Sequence, residues 1–325
     1  MKQRVLMALR ENNGYVSGQE LCGKLGVSRT AIWKIVNSLK EQGYNIESVR
    51  NRGYRLIECP DVILPEAIKE QINTKWFAGK IIYHACVDST NNEVKRLADS
   101  ENEGLLVIAD EQTAGKGRRG RVWQSPPNSG IWMSFLLKPD IPPDKASMIT
   151  IVAAMAARRA VAEATGLSPL IKWPNDLVVN GRKITGILTE MATDIESINY
   201  VIVGIGFNVN NKSFPEELAA TATSLEMELG HEVNREKLIA LFGKHFENIY
   251  EQLIADGDLS RLKSEYEQYL VNNNAEVVID NQGKTINARA LGINEKGELL
   301  IVDEDGNRQT VRAGEVSVRG VYGYV

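Results

Sequence analysis

The segment Gln112–Trp123 constrains the fold more than any other part of the chain, because one short loop holds three glycines and four cationic side chains. It lies between two apolar runs, residues 105–109 and 131–137, that are typical of buried strands. Glycines let a loop backbone approach a ligand and point N–H groups at it. Arg and Lys donate charge-assisted hydrogen bonds to phosphates and carboxylates. The segment therefore predicts capture of a nucleotide together with an acid.

A solvated basic loop is the simpler interpretation of such a short motif, and the familiar phosphate loops do not fit. The P-loop pattern has Ser or Thr after its lysine and then a helix, whereas Gly117 follows Lys116. The GxGxxG pattern belongs to a turn between a strand and a helix, whereas a second strand-like run follows this loop. A nucleotide site built on this segment requires another architecture.

Length and composition predict two or three ordinary globular domains. The chain has 325 residues, 43% of them hydrophobic and 25% charged. No apolar run approaches the ~20 residues of a membrane span, and the first residues show no signal-peptide pattern. Cys22, Cys59 and Cys86 are too scattered for a zinc site or a disulfide framework. These features favour a cytoplasmic protein with reduced thiols and no membrane partner.

The net charge of −4 conceals a division between two parts of the chain. Residues 1–60 contain ten Lys and Arg against five Glu, which gives +5 there and leaves −9 for the rest. A small basic module on an acidic body indicates that the module alone meets nucleic acid.

Capping signals and hydrophobic spacing predict a winged helix-turn-helix in residues 1–60. Ser17 and Glu20 form a capping box, and Ser28 precedes a second helix with apolar residues at helical spacing. Two alternating runs around residues 50–53 predict a β-hairpin, followed by a linker at residues 58–61. The residues expected to contact DNA are Ser28, Arg29, Thr30, Trp33, Lys34, Asn37, Arg50 and Arg52.

Two simpler interpretations of this module stay open. Winged helices also mediate protein contacts, and a charged helix face is often merely solvated. Agreement between helix spacing, basic helix face and basic hairpin tip favours DNA binding.

From residue 64 to residue 272, helices and strands alternate, which predicts a mixed α/β domain. Ser89 or Thr90 precedes a helix, and capping is the default role of such residues. The pair Asn180-Gly181 predicts a hairpin turn, so Lys183 taken alone is an exposed hairpin lysine. A last helix is expected over residues 258–272.

Glycines inside an apolar strand mark a second candidate site. Gly204 and Gly206 indicate that a ligand, or simply a neighbouring element, lies close against that strand. Asn208, just beyond, offers the donor and acceptor that a base edge requires. From residue 273 to residue 325, turn signals recur about every 8–12 residues, which predicts a small β-barrel or sandwich.

Five ordered segments make the chain resemble the biotin–protein ligases. They are Asp88–Asn91, Gln112–Arg121, Lys172–Asp176, Gly186–Glu190 and Gly204–Asn208. Together with the winged helix they resemble the bifunctional form, which also represses the biotin operon, and the resemblance covers essentially the whole chain. One departure is Lys116, where the family usually has Arg, so charge is kept but a planar fork of donors is lost.

The resemblance implies an α+β multidomain fold. It places a winged helix-turn-helix in residues 1–60, a mixed α/β class II synthetase-like catalytic domain in residues 64–272, and an SH3-like small β-barrel in residues 273–325. It implies that biotin is activated with ATP and Mg²⁺ to biotinyl-5′-AMP and passed to a lysine of a biotin carboxyl carrier protein. It also implies a ligand-promoted homodimer that binds operator DNA, with biotinyl-AMP as corepressor.

The resemblance also implies roles for individual side chains. The carboxylate of biotin and the triphosphate repel each other, so the site needs cations. Arg118 and Lys183 would meet the carboxylate and α-phosphate, with Lys116 adding charge, and Arg121 would meet the leaving phosphates. Asp176 would either ligate Mg²⁺ or accept a proton from the attacking lysine, and the sequence does not choose. The expected catalytic residues are therefore Arg118, Asp176 and Lys183.

The remaining expectations concern the ligand pocket. Ser89, Thr90 and Gln112 would bind the ureido head, Gly204 and Gly206 would lie under its ring, Trp123 would stack on adenine, and Asn208 would contact its edge. The expected ligand-binding residues are Ser89, Thr90, Asn91, Gln112, Gly115, Lys116, Gly117, Arg118, Arg121, Trp123, Lys183, Gly204, Gly206 and Asn208. The alternatives are a lipoate ligase, a biotin-sensing transcription factor without catalysis, and a ligase whose winged helix represses nothing.

Overall fold

The computed structural model describes residues 1–10, 12, 14–41, 44–58, 63–194, 197–281, 284–313, 316–320 and 324–325. They fall into two compact units, residues 1–70 and 71–325. Cys59 and most of the expected linker at residues 58–61 lie outside the described residues. Among the residues described, no helix combines the length and the apolar character needed to cross a bilayer.

The first unit is a helix-turn-helix with a two-stranded wing, as the capping signals predict. Its elements are α1 (Lys2–Arg10), α2 (Gly18–Leu25), α3 (Arg29–Glu41), β1 (Asn45–Val49), β2 (Gly53–Glu58) and α4 (Pro65–Gln71). Ser17 Oγ accepts from Glu20 N at 3.0 Å, and Ser28 Oγ accepts from Ala31 N at 3.2 Å. Apolar side chains from the helices and the hairpin form a core within this unit.

Gly53 fixes the tip of the wing. Its φ is +107°, and a Cβ there would lie 2.1 Å from the Val16 carbonyl oxygen. That oxygen accepts the Tyr54 N–H at 2.9 Å. Only glycine fits this backbone, and the turn leaves Arg50 and Arg52 exposed at the tip.

A seven-stranded mixed sheet forms the centre of the second unit. Its strands are β3 (Lys80–Val87), β4 (Leu105–Gln112), β5 (Ile131–Leu137), β6 (Leu170–Lys172), β7 (Asp176–Val179), β8 (Arg182–Thr193) and β9 (Ile198–Phe207). Their spatial order is β3-β4-β5-β9-β8-β7-β6. β3 and β4 run parallel, and the other neighbouring strands are antiparallel. The expected hairpin turn joins β7 to β8, with positive φ at Asn180 and Gly181.

Helices cover the two faces of this sheet unequally. They are α5 (Thr90–Leu97), α6 (Ser147–Thr165), α7 (Glu216–Ala219), α8 (Leu225–Leu229), α9 (Arg235–Asp256) and α10 (Lys263–Gln268). α6 and α9 pack together, and Phe135 of β5 contacts Phe246 of α9. Leu136, which points to the opposite face because strand side chains alternate, packs with Val94 of α5. Short α5 covers that face only in part, which leaves a cleft beside it.

The helix expected over residues 258–272 is shorter than predicted and spans Lys263–Gln268. Asp258 Oδ1 accepts the backbone N–H of Ser260 at 2.9 Å, which forms a turn at the start of the segment. At its other end, Leu270 forms a bridge with Ile171 next to the sheet. Local and long-range backbone bonds thus limit the helix on both sides.

A five-stranded antiparallel sheet follows. Its strands are β10 (Glu276–Asn281), β11 (Lys284–Ile293), β12 (Leu299–Asp303), β13 (Arg308–Val311) and β14 (Val316–Gly320), in the spatial order β13-β12-β11-β10-β14. In the described part of these strands, β13 and β14 are edges and do not close the sheet into a barrel. Trp173 Nε1 donates to the Gly297 carbonyl at 2.9 Å and attaches this sheet to the seven-stranded one.

Candidate active site

Two paired glycines form the floor of the cleft beside α5. Gly186 of β8 lies opposite Gly206 of β9. A Cβ at Gly206 would lie 2.4 Å from the Trp123 indole, and one at Gly186 would lie 2.6 Å from it. Glycine at both positions therefore admits the indole against the sheet. The sequence left open whether a ligand or a neighbouring element lies against the strand glycines. At Gly206 it is a neighbouring element, the Trp123 indole.

Trp123 is held in this position by the loop that precedes it. Its backbone N–H donates to the Gly115 carbonyl at 2.9 Å, and a Cβ at Gly115 would lie 2.4 Å from the Trp123 carbonyl. The indole Nε1 is buried and has no hydrogen-bond partner among the described residues. A buried donor left unpaired costs about 1–3 kcal/mol, which fits a site that a ligand completes.

The loop cations lie at different depths. Lys116 Nζ donates to Asn92 Oδ1 at 2.5 Å. Arg118 lies in a single 3₁₀ turn, Arg118–Gly120, and donates to Asn175 Oδ1 at 2.8 Å and to the Ala313 carbonyl. Burial lowers the pKa of the Arg118 guanidinium. Arg121 is exposed, and its side chain makes no hydrogen bond to any described residue.

Asp176 joins two strands and the end of the chain. Lys183 Nζ lies 2.6 Å from Asp176 Oδ1 as an ion pair, and the Tyr324 hydroxyl donates to Asp176 Oδ2. Lys172 Nζ lies 3.4 Å above the Tyr324 ring. Burial, then the Asp176 charge, raises the pKa of Tyr324 well above its ordinary value. Lys183 is therefore not the exposed hairpin lysine that its sequence position alone suggested.

Polar side chains at the start of α5 form one wall. Ser89 is buried at the N-cap position, yet its side chain makes no capping hydrogen bond. Thr90 N donates to Gln112 Oε1 at 2.8 Å, and Asn91 Nδ2 donates to Glu190 Oε2 at 2.6 Å. The default capping interpretation of Ser89 and Thr90 is thus wrong, since both face the cleft instead.

The cleft brings together most of the expected ligand-binding residues in about 450 Å³ of partly open space. It is lined by Ser89, Thr90, Asn91, Gln112, Lys116, Gly117, Arg118, Trp123, Lys183, Gly204 and Gly206, and also by Met133, Asn175, Gly186, Ile187, Leu188 and Ile205.

Gly115, Arg121, Asp176 and Asn208 lie outside this lining. Asn208 is buried, and its Nδ2 donates to the Thr223 carbonyl at 3.1 Å. At Gly204, the space of a Cβ is taken by Asn91 Oδ1, only 2.0 Å away.

Comparison with known proteins decides the family. Residues 83–208 match the biotin/lipoate A/B protein ligase family, residues 2–55 match the HTH domain, and residues 276–319 match the biotin protein ligase C terminal domain. The bifunctional ligase/repressor BirA of Bacillus subtilis is 38% identical over 315 residues, which cover 96% of this chain and 97% of that protein. The chain belongs to the biotin protein ligase family.

The ligase is similar to other members along its length and in structure. The bifunctional ligase/repressor BirA of Escherichia coli is 28% identical, over 97% of this chain and 96% of its own. The biotin protein ligase of Aquifex aeolicus, in complex with biotin and ATP, matches with a TM-score of 0.66 and 29% identity. That match covers 74% of this chain and 99% of the Aquifex chain.

Several polar residues in or beside the ligase site have no role assigned from the sequence. Asn175 and Glu190 lie within recognised segments, so their signal was present but unassigned. Ser134 is a polar residue inside the apolar run 131–137, which is a signal for a buried hydrogen bond. Tyr324 carries no local signal, because its partner Asp176 lies 148 residues away.

The described residues of the ligase contain no group of three or more His, Cys, Asp or Glu side chains suited to a metal ion. Asp176 is the carboxylate beside the cleft, and both its oxygens already have partners. Mg²⁺ in nucleotide sites is commonly held by one or two carboxylates together with substrate phosphates. Asp176 therefore fits an ion that arrives with ATP only if the ion shares its oxygens with Lys183 and Tyr324.

The helix α3 of the ligase displays most of the expected DNA-contacting side chains. Trp33 is 54% exposed although it is a large aromatic residue. Arg29 Nη2 donates to Gln19 Oε1 at 3.0 Å and so links α3 to α2. Asn37 is half-buried, and Ser28 caps α3. Six more of the residues expected to contact DNA are exposed, namely Ser28, Arg29, Thr30, Lys34, Arg50 and Arg52.

Proposed function

We propose that the protein joins biotin to ATP as biotinyl-5′-AMP and then passes biotin to a lysine of a biotin carboxyl carrier protein. One observation carries this proposal: Lys116, Arg118 and Lys183 converge on one cleft. Cations between a carboxylate and a triphosphate offset the repulsion that blocks their reaction. The similar Aquifex ligase binds biotin and ATP.

In the first step, a carboxylate oxygen of biotin bonds to the α-phosphorus while the bond to pyrophosphate breaks. Arg118 and Lys183 hold the carboxylate and α-phosphate, and Arg121 meets the departing phosphates. The exposed Arg121 side chain is consistent with a role that begins when ATP binds. Mg²⁺, when bound with ATP, supplies further positive charge at the phosphates, and Asp176 is the residue that would hold it.

In the second step, the lysine nitrogen of the carrier bonds to the carbonyl carbon of biotin, and AMP leaves. The ammonium of the carrier lysine must lose a proton before its nitrogen can attack, and Asp176, the carboxylate beside Lys183, accepts it. The proposal assigns two roles to Asp176, as a ligand of Mg²⁺ and as the acceptor of this proton.

The polar wall and the indole bind the two ligands. Ser89, Thr90 and Gln112 contact the ureido head of biotin. Trp123 stacks on adenine. Asn208 accepts a hydrogen bond from the base through its side-chain oxygen. Its amide nitrogen is not available as a donor, because it already donates to the Thr223 carbonyl.

The deciding experiment is ATP–pyrophosphate exchange, measured with biotin and with lipoate in parallel. Exchange with biotin alone supports the proposal. Exchange with lipoate alone would make the protein a lipoate ligase, which the broad family model also includes. Tight biotin binding without exchange would make it a transcriptional sensor without catalysis.

We further propose that the protein represses transcription of biotin synthesis and uptake genes as a homodimer, with biotinyl-AMP as corepressor. The exposed Trp33 and Lys34 on α3, with the basic wing tip, support this. Gel-shift assays on the DNA upstream of those genes, with and without biotin and ATP, provide the test. Exchange activity without any ligand-dependent shift would leave a ligase whose winged helix represses nothing.

The finer architecture completes the proposal. The catalytic part, residues 64–272, is class II synthetase-like. Residues 1–60 are the winged-helix domain. Residues 273–325 are an SH3-like barrel, and the strands described in this segment form its open, unclosed sheet. The protein works in the cytoplasm, where ATP and the carrier protein are present.

A further inference from the structure

At the rim of the cleft, a row of polar contacts joins the cationic loop to α5. Lys116 Nζ donates to Asn92 Oδ1 at 2.5 Å, and Asn92 Nδ2 donates to Asp88 Oδ2 at 2.7 Å. Asn92 lies in the first turn of α5, one residue beyond the recognised segment Asp88–Asn91. The exposed lysine of the loop is therefore attached to the helix that forms one wall of the cleft.

The Asn92 amide fits both of its neighbours in the same orientation. A lysine ammonium can only donate hydrogen bonds, and an ionised carboxylate can only accept them. The amide oxygen therefore faces Lys116, and the amide nitrogen faces Asp88. The opposite orientation would set two donors against each other at one end and two acceptors at the other. Asn92 thus bridges a cation of the loop and an anion before α5.

An ion pair fixes the carboxylate at the far end of the row. Arg96 Nη1 donates to Asp88 Oδ1 at 3.0 Å, and Arg96 Nη2 donates to Oδ2 at 2.7 Å. These bonds, followed by the bond from Asn92, hold the pKa of Asp88 far below its ordinary value. The backbone carbonyl of Asp88 also accepts the Ala114 N–H at 2.8 Å. Asp88 therefore meets the loop directly at Ala114 and through Asn92 at Lys116.

A tie at Lys116 reaches the rest of the loop because the loop backbone pairs with itself. Gly117 N donates to the Arg121 carbonyl at 2.7 Å, and Trp123 N donates to the Gly115 carbonyl at 2.9 Å. Residues 115–123 thus form a small antiparallel hairpin that carries the indole and the buried cation of the site. Holding one residue of this hairpin restrains the others.

We propose that Lys116, Asn92 and Asp88 form a clasp that holds the loop closed over biotinyl-5′-AMP. Asn92 and Asp88 are positioning residues in the clasp, because they act on the ligand only through the loop. The inference rests on the proposed function, which supplies the adenylate.

The clasp also accounts for lysine at position 116, where the family usually has arginine. The planar fork of a guanidinium suits an acceptor with two oxygens, such as a carboxylate. The clasp presents one amide oxygen, and the ammonium supplies the one donor that this oxygen needs. The lost fork therefore costs nothing at this contact.

The test is a double-mutant cycle of Asn92→Ala and Lys116→Met in the full-length protein. Stopped-flow dissociation gives the release rate of biotinyl-AMP, and hydrogen exchange without ligand gives the opening rate of the loop amides over residues 113–123. Lys95→Met is the matched control, because it removes the same ammonium from an exposed position on α5. Thermal melting establishes that each variant is folded.

We expect Asn92→Ala to raise both rates by about 5- to 10-fold, the loss expected for one hydrogen bond from a charged donor at an exposed site. In the Lys116→Met background, Asn92→Ala should change neither rate further, because the clasp is already open. Lys116→Arg keeps a donor for the Asn92 oxygen and should stay close to the wild type. Lys95→Met should behave as wild type.

Three results would overturn this inference. They are unchanged loop exchange in Asn92→Ala, an unchanged release rate of the adenylate in that variant, and an equal effect of Asn92→Ala with and without Lys116. The last would show that Asn92 does not act through the lysine. Failure to form the adenylate in the ATP–pyrophosphate assay would instead overturn the proposed function, and hydrogen exchange would still decide whether the clasp holds the loop.

Discussion

The Tyr324 hydroxyl donates to one oxygen of Asp176 while Lys183 Nζ lies 2.6 Å from the other. The carboxylate is therefore held from both sides, and one of its two partners comes from beyond the last strand of the C-terminal sheet. Lys172 packs its ammonium on the Tyr324 ring at 3.4 Å and keeps that ring in place.

Removing the phenol hydroxyl should slow transfer to the carrier. A hydrogen bond to a charged group contributes about 1.5–3 kcal/mol, so Tyr324→Phe should lower kcat for transfer by about 10- to 100-fold while KM for biotin changes little. Tyr269→Phe is the control, since the Tyr269 hydroxyl makes no hydrogen bond to a described residue. Equal rates for Tyr324→Phe and the wild type would show that Asp176 needs no second partner.

The effect of Tyr324→Phe should not depend on pH between pH 7 and 10. Burial raises the pKa of Tyr324 well above its ordinary value. An acid with a raised pKa stays protonated throughout the range below it, so the hydroxyl remains a donor in this window. The ratio of wild-type to variant rates, measured at several pH values, should be constant. A ratio that falls toward one near pH 9 would contradict this.

Arg118→Gly should release the adenylate before transfer. The variant loses the bonds to Asn175 and Ala313 that hold the loop, together with a cation next to the anhydride. Bonds from charged donors contribute about 1.5–3 kcal/mol, so the dissociation rate of biotinyl-AMP should rise by about 10- to 100-fold. Stopped-flow dissociation measures it directly.

Arg119→Gly is the matched control for that measurement. Arg119 pairs with Asp280 at 3.1 Å, and its φ of +57° suits glycine. This variant should retain the adenylate. If Arg118→Gly retained it equally well, the role assigned to Arg118 would be wrong.

Gly206→Ala should displace Trp123 from the floor. The added methyl would lie 2.4 Å from the indole, which no rigid ring accommodates without moving. We expect KM for ATP in the exchange assay to rise by about tenfold, equivalent to about 1.4 kcal/mol. Gly79→Ala, where a Cβ would lie 3.4 Å from its nearest neighbour, should behave as wild type. A normal KM in Gly206→Ala would remove the indole from the ligand site.

Lys34→Ala should weaken DNA binding and leave exchange intact. An exposed lysine that contacts a phosphate contributes about one unit to the slope of log affinity against log salt. The slope measured over a salt series should therefore fall by about one. Lys24→Ala is the control, because Lys24 is engaged with Glu20 at 3.1 Å on α2. An unchanged slope in Lys34→Ala would remove this lysine from the DNA interface.

The features predicted well from the sequence are those fixed by neighbours in the chain. Ser17, Ser28 and the pair Asn180-Gly181 act within a few residues, so their caps and turn follow from local backbone chemistry. The strand over residues 131–137 also follows from composition, because every residue in it is buried.

The features that escaped prediction depend on contacts between distant residues. Lys183 lies only seven residues from Asp176 on the predicted hairpin, but a shift in the pairing of β7 with β8 at Leu177 and Val178 sets which side chains meet, and the sequence does not show that shift. The direction of the Asn91 amide depends on Glu190, 99 residues away. The residues next to each partner do not show which strands become neighbours in the sheet, so they do not predict such a pair.

Arg118 also constrains the order in which the molecule becomes complete during synthesis. Its two partners lie 57 and 195 residues further along the chain, whereas the core of the N-terminal unit uses residues 5 to 67 alone. Domains emerge and fold from the N-terminus during translation. The first unit can therefore fold early, while Arg118 gains its bond to the Ala313 carbonyl only after that residue has left the ribosome. A message cut short before that codon yields a folded N-terminal unit beside a loop that lacks this bond.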